Sequence, residues 1–240
     1  MSELEVPVEW DARARFISRP NRFLALVELD EMDLGPVEAH VHDPGRLREV
    51  LVPGNEVLLR KADSSTRKTG WDVIAGKVGD TWVLINSTFH RPISLAALMD
   101  DEILPLGKLS SLRPEVKFGN SRLDYLAVDE NGRELYIEVK GCSLTRDGIA
   151  LFPDAPTSRG TRHVRELIEV VKTGKRAGMI LLVLGPRAEC FMPNSETDPD
   201  FAIAFREALD IGVEIRPLGF ELIEDRILYR GPVPLCDGPF

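Results

Sequence analysis

No stretch of this 240-residue chain is apolar for long enough to cross a membrane. The longest continuous apolar run covers residues 179–184, against the roughly 20 residues a spanning helix needs. The opening MSELEVPVEW carries acids and lacks a basic-then-apolar leader pattern, so no secretory peptide and no membrane partner are expected. Cysteine is scarce: Cys142, Cys190 and Cys236 are an odd number at spacings that match no metal site. Free thiols in a reducing cytoplasm are the expectation, without a disulfide framework. Gly-rich nucleotide cradles and nucleophile elbows are also missing, which argues against a small-molecule hydrolase. A net basic charge is missing too, since 30 Lys and Arg face 39 Asp and Glu for a net charge of −9.

The cations that are present are not spread evenly. Arg13, Arg15, Arg19 and Arg22 share an acid-free window, Arg60, Lys61, Arg67 and Lys68 surround one acid, and a third group runs from Arg159 to Arg176. The acids gather elsewhere, around residues 28–33, 100–102 and 189–200. Three basic clusters in an acidic chain point to a localised phosphate-binding surface.

The chemistry-bearing stretch is RLDYLAVDENGRELYIEVKG at 122–141. Residues 122–128 and 133–140 read as strands, and Asp129-Glu130-Asn131-Gly132 as the turn between them. Glu138 and Lys140, two apart in a strand, share a face. A three-residue loop, Glu130-Asn131-Gly132, sets Asp124 opposite Glu138. The two-residue alternative would turn the acid into the Leu135/Ile137/Val139 layer, so the three-residue loop is expected. Two carboxylates and an ammonium then lie side by side. Neighbouring carboxylates raise each other's pKa unless a cation lies between them. Hard oxygen donors suit Mg²⁺ or Mn²⁺, and a lysine beside the metal can orient water and steady charge on phosphate. Glu115 is a third acid within reach of the same face.

Before residue 87 the chain reads as short strands at 23–29, 37–41, 56–60, 71–77 and 82–85, punctuated by Gly and Pro. That spacing suggests a five-stranded oligonucleotide-binding (OB-like) barrel. Such barrels hold single strands by basic grooves and stacked aromatics, for which Phe23, Trp71 and Trp82 are candidates. Two loops are rich in polar groups, His40–Arg46 with its His40/His42 pair, and 63–70. After residue 87 comes a short helix over 94–99 with Ser94 as its cap, a strand over 115–118 and the hairpin. A helix follows from Ser158 or Thr161 to about Thr173, with Val164, Leu167, Ile168 and Val171 as its apolar stripe. Arg159, Arg162, His163 and Glu166 fall on another side. A buried strand over 178–185, a helix over 201–210 and a strand over 213–216 complete an α/β half with a mixed sheet.

In chain order, the motifs RPNRFLA, HVHDPGR, SSTRKTGW, EVKFGNSRLDY, YIEVKG, FPDAPTSRGTRHVREL and GVEI resemble the sugar fermentation stimulation protein family over nearly the whole length. The resemblance implies an OB-like nucleic-acid-binding barrel in residues 1–86 and a PD-(D/E)XK nuclease-like α/β domain in residues 87–240. It maps the catalytic acid and acid-x-Lys pattern onto Asp124, Glu138 and Lys140, with the Val139 carbonyl and Glu115 completing a metal shell. The Pro-Asp dipeptide of the superfamily name is absent, because Leu123 precedes Asp124. Arg19, Arg22, Arg46, Arg67, Lys68, Trp71, Arg159 and His163 are the expected nucleic-acid contacts. A divalent-metal nuclease acting on DNA or RNA is the leading expectation, with a homodimer as a further one. The alternative is a non-catalytic DNA-binding regulator on a nuclease scaffold, linked to sugar fermentation genes.

Overall fold

The computed structural model describes residues 4–30, 35–62, 67–119 and 121–238. Residues 63–66 of the second polar loop and Asn120, just after the expected strand over 115–118, fall outside that description. The chain opens with β1 (Glu5–Pro7), β2 (Ala12–Asn21), β3 (Leu24–Leu29), β4 (Val37–His40), β5 (Glu56–Lys61), β6 (Trp71–Val78) and β7 (Thr81–Leu84). β2 pairs with β3, β3 with β4, β4 with β6, β6 with β5 and β5 with β2, which closes a five-stranded barrel. Its interior is filled by Ala14, Phe16, Val27, Ala39, Val57, Leu59 and Val73.

Four of the five barrel strands match the sequence expectation and one does not. β7, expected inside the barrel, lies outside the closed circuit, pairing with β6 on one side and meeting a later strand (Glu214–Ile223) at Trp82 opposite Leu222 on the other. β2 takes its place. Its sequence ARARFISRPN buries Ala14 and Phe16 and exposes Arg13 and Arg15, a two-residue alternation. β1 also lies outside the barrel and pairs with the last strand (Arg226–Pro232).

The second half contains α1 (His90–Leu98), β8 (Leu109–Phe118), β9 (Ser121–Asp129), β10 (Glu134–Cys142), β11 (Leu144–Arg146), β12 (Ile149–Phe152), α2 (Ser158–Lys172), β13 (Arg176–Val183), β14 (Cys190–Pro193), α3 (Pro199–Ile211), β15 (Glu214–Ile223) and β16 (Arg226–Pro232). β10, β13 and β15 run parallel, while β8 and β9 add on antiparallel, giving a mixed sheet. It continues through β7 into the barrel as one 13-stranded sheet, and β11, β12 and β14 form a separate small sheet.

Both faces of the central sheet are covered. Ile180 and Leu182 of β13 face the layer of α1 residues Ile93, Ala97 and Leu98. Met179, Leu181 and Val183 face α2 and α3 through Val164, Leu167, Phe201 and Phe205. This two-sided burial is why residues 178–185 read as a continuous apolar run. β10 alternates likewise, with Leu135, Ile137 and Val139 in the α1 layer and Tyr136, Glu138 and Lys140 on the α2 side.

Three local expectations are corrected. α1 begins at His90, because Pro92 is tolerated in a first helical turn. Ser94 therefore sits inside the helix, and its hydroxyl meets the Tyr125 hydroxyl at 3.0 Å rather than capping. α2 is capped by Thr157, whose hydroxyl accepts from the Gly160 amide at 3.0 Å. Cys190 and Cys236 form a disulfide. The amides of Phe191 and Cys236 donate to the carbonyls of Pro234 and Phe191, laying the C-terminal segment alongside β14. That long-range pairing brings together two cysteines 46 residues apart, which spacing along the chain does not reveal. Cys142 is free and buried.

Candidate active site

The β9–β10 hairpin has the expected register. Val128 pairs with Glu134 and Tyr125 with Ile137, so one more step sets Asp124 across from Glu138. Gly132 adopts φ +75° at the end of the three-residue loop, a conformation that costs a glycine nothing. The side chain of Asp129 closes the loop by accepting from the amides of Asn131 and Arg133, each at 2.9 Å.

Asp124, Glu138 and Lys140 gather as expected, and α2 adds a fourth member. Glu138 is 1% exposed. Its Oε1 accepts from both Lys140 Nζ and His163 Nδ1, while its Oε2 is buried without a hydrogen-bond partner among the described residues. Asp124 Oδ2 accepts from the Val139 amide at 2.7 Å. Burial lifts the Asp124 carboxyl from 3.8 to about 6, and the Glu138 charge adds to the rise. Glu138 goes the other way. Burial pushes it up, but the His163 hydrogen bond and the Lys140 charge outweigh that and hold it below its ordinary value. Two adjacent carboxyls are thus driven apart, one held ionised and one easily protonated.

His163 belongs to this core rather than to a solvated helix face. It is 3% exposed, and its Nε2 lies 3.5 Å from Arg159 Nε. The Nδ1 proton goes to Glu138, which leaves Nε2 as the acceptor from Arg159. The helical wheel puts His163 beside Arg159 and Glu166, but that wheel does not show that the sheet beneath carries a buried carboxylate. His90 is a participant that the sequence did not signal. It lies where α1 starts, half-buried beside Lys140 and packed over Gly141. A Cβ on Gly141 would come within 2.3 Å of its ring. Burial, helped by the Lys140 charge, pushes His90 down to about 4, so its imidazole is neutral.

Glu115 reaches the edge of the site only. It stands across β8–β9 from Asp124, between the Pro114–Tyr125 and Val116–Leu123 pairs, at φ +53°. Both line a recess of about 230 Å³. Its carboxylate turns outward to Arg122 at 3.1 Å and Arg91 at 4.0 Å. Among the described residues no three His, Cys, Asp or Glu side chains gather in a metal-holding arrangement.

Asp124, Glu138 and Lys140 open onto a cleft of about 720 Å³ whose far wall comes from the barrel. Arg22, Asp43, Gly45 and Arg46 line it together with Asp154, Thr157 and Arg159. Asp154 Oδ2 accepts from the Leu47 amide at 3.0 Å, which ties the barrel loop to the other half. A Cβ on Gly45 would lie 2.6 Å from Asp154 Oδ2 and 2.9 Å from Asp43 Oδ1. Burial raises Asp43 to about 6, and the Asp154 charge adds to the rise.

Of the cations expected to meet nucleic acid, Arg22, Arg46 and Arg159 line this cleft. Arg19 does not present its charge to the surface in the expected way. Its guanidinium donates to the carbonyls of Gly45, Arg46, Arg22 and Asp43, which staples the loop to the β2–β3 turn. Arg67 is bound to buried Asp72 at 2.9 Å. Lys68 is exposed, and half-buried Trp71 has Lys61 Nζ 5.8 Å from its ring centre.

Comparison with known proteins bears on what this assembly is. Residues 88–226 match the sugar fermentation stimulation protein RE domain, and residues 17–85 match the SfsA N-terminal OB domain. A sugar fermentation stimulation protein homolog from Methanococcoides burtonii is 47% identical, over 98% of this chain and 96% of its own length. One from Methanothermobacter thermautotrophicus is 44% identical over 92% of each. The Pyrococcus furiosus SfsA structure in complex with Ca²⁺ superposes with a TM-score of 0.86 at 30% identity, covering 96% of this chain and 99% of that one. The chain belongs to the sugar fermentation stimulation protein family.

Proposed function

We propose that this protein is a divalent-cation-dependent nuclease that binds DNA or RNA through the barrel and hydrolyses its phosphodiester bonds at Asp124, Glu138 and Lys140. The observation that carries the reading is the buried Glu138 Oε2, which has no hydrogen-bond partner among the described residues. A buried carboxylate oxygen costs about 1–3 kcal/mol when left unsatisfied, and more when charged. A hard cation satisfies it, and the nearby Asp124 carboxylate and Val139 carbonyl have the chemistry Mg²⁺ or Mn²⁺ takes. The Ca²⁺ in the Pyrococcus furiosus relative supports a divalent ion in this family. When bound, the ion neutralises phosphate charge and makes a water molecule more acidic.

The chain's own residues do the rest. His163 and Lys140 both donate to Glu138 Oε1 and fix the rotamer that aims Oε2 away from them. Lys140 keeps its remaining ammonium protons for the attacking water or the charge developing on phosphate. Arg159, Arg22 and Arg46 hold the flanking phosphates in the cleft. Neutral His90 packs over Gly141 and closes the inner wall beside Lys140. The homodimer expectation forms no part of this proposal.

The test is cleavage of labelled single-stranded DNA, duplex DNA and RNA by purified protein with Mg²⁺, Mn²⁺ or EDTA, alongside Asp124→Ala. Metal-dependent products that vanish in the variant support the proposal. Salt-sensitive binding with no products above the variant's background would instead favour a binding protein on a nuclease scaffold.

A further inference from the structure

Phe23 is a large apolar side chain left 48% exposed at the turn between β2 and β3. Its backbone is pinned: the amide donates to Asn21 Oδ1 at 2.9 Å, and the carbonyl accepts from the Val41 amide at 3.0 Å. The ring lies nearly parallel to His40, with 6.3 Å between centroids and 17° between planes. His40 is propped in turn by the edge of His42, 4.5 Å away at 86°. His42 Nε2 meets Asp72 Oδ1 at 3.0 Å. Asp72 is 2% exposed and also accepts from Arg67 at 2.9 Å. The Phe23 ring thus caps a supported column anchored on buried Asp72. The HVH motif supplies that column.

Phe23 also follows directly after Arg22, which lines the catalytic cleft. Arg19 binds the Arg22 carbonyl and the carbonyls of Asp43, Gly45 and Arg46 with one guanidinium. The aromatic tip and the cationic wall therefore hold a fixed relation to each other.

We propose that Phe23, backed by His40, is a stacking platform for an unpaired base, so that the cleft selects single-stranded nucleic acid with its backbone on Arg22 and Arg46. This deepens the proposed function and rests on it only for where the scissile phosphate lies. An aromatic face next to cations fits a base and its phosphate, and every base offers a π-face when it is out of the duplex. A paired base is already stacked on both sides and has no face to give. The occupant is a single strand of DNA or RNA, held without regard to sequence.

The test measures fluorescence anisotropy of a labelled single-stranded DNA 12-mer, the matching RNA and the DNA duplex, in EDTA so that no cleavage intervenes. Wild type, Phe23→Ala and Phe23→Trp are compared across a salt series. Phe23→Ala should weaken binding of the better single strand about ten-fold, in the range of a lost stack. Phe23→Trp should restore it, and the salt slope should stay unchanged because no phosphate contact is removed. Duplex should bind more weakly and respond little to either change. Unchanged single-strand binding by Phe23→Ala, or an equal loss on duplex, would overturn the platform. Neither result depends on hydrolysis, so the nuclease reading would stand or fall separately.

Discussion

Replacing Asp124 by Asn should stabilise the cation-free protein at alkaline pH. Burial and then the Glu138 charge raise the Asp124 carboxyl from 3.8 to about 6 in the fold. A carboxyl raised in this way favours folding when protonated. That advantage is fully present below about pH 3.8 and is lost as pH rises through about 6. At pH 8 the group is ionised in surroundings that disfavour its charge. A shift of about two units at about 1.4 kcal/mol each amounts to roughly 3 kcal/mol. An amide of the same shape carries no such charge and still accepts from the Val139 amide, the contact seen at 2.7 Å. Asp124→Asn should therefore gain up to about 3 kcal/mol at pH 8 and less than about 1 kcal/mol at pH 4. Urea denaturation in EDTA at pH 4, 6 and 8 reads both values. A variant less stable than wild type at pH 8, or a gain of equal size at pH 4, would refute the reasoning. The same variant should lose any stabilisation that wild type gains from added Mg²⁺.

Other outcomes follow from the same geometry. His163→Ala strips one of the two donors from buried Glu138 and should cost about 3 kcal/mol in urea denaturation, with part recovered when Glu138→Gln is added. Gly141→Ala drives a Cβ into the His90 ring and should cost about 1–3 kcal/mol by overpacking, seen as a lowered Tm. Asp154→Ala removes the charge that, after burial, raises Asp43. A carboxyl titration by NMR should then find Asp43 below its wild-type value of about 6, and an unchanged value would contradict the pairing.

The hairpin was readable because two independent constraints agreed. Asp124 had to avoid an apolar layer, and Gly132 could take the left-handed position that a three-residue loop needs. The α2 stripe and the parallel β13 were readable because periodicity reports burial. What could not be read depended on partners distant in the chain. β2 alternates over residues 12–17, but its outward arginines make it look like a basic window rather than a strand. His163 looked polar because the wheel cannot show Glu138 beneath it. His90 had no local signal, since only the packing of α1 on β10 brings it to Lys140 and Gly141. The disulfide needed the C-terminal segment to return to β14. Arg19 looked like any cation of its cluster until the fold placed four carbonyls around it.

The central claim is that Lys140, held against Glu138 and His163, serves hydrolysis rather than binding. The most direct measurement compares Lys140→Met with wild type in two assays on the same labelled single strand, binding in EDTA and cleavage in Mg²⁺. The account predicts binding within a few-fold of wild type and cleavage lowered by at least about a hundred-fold, the scale of losing one charge-stabilising group. Cleavage at the wild-type rate by Lys140→Met, or no cleavage by wild type under any divalent cation, would contradict it.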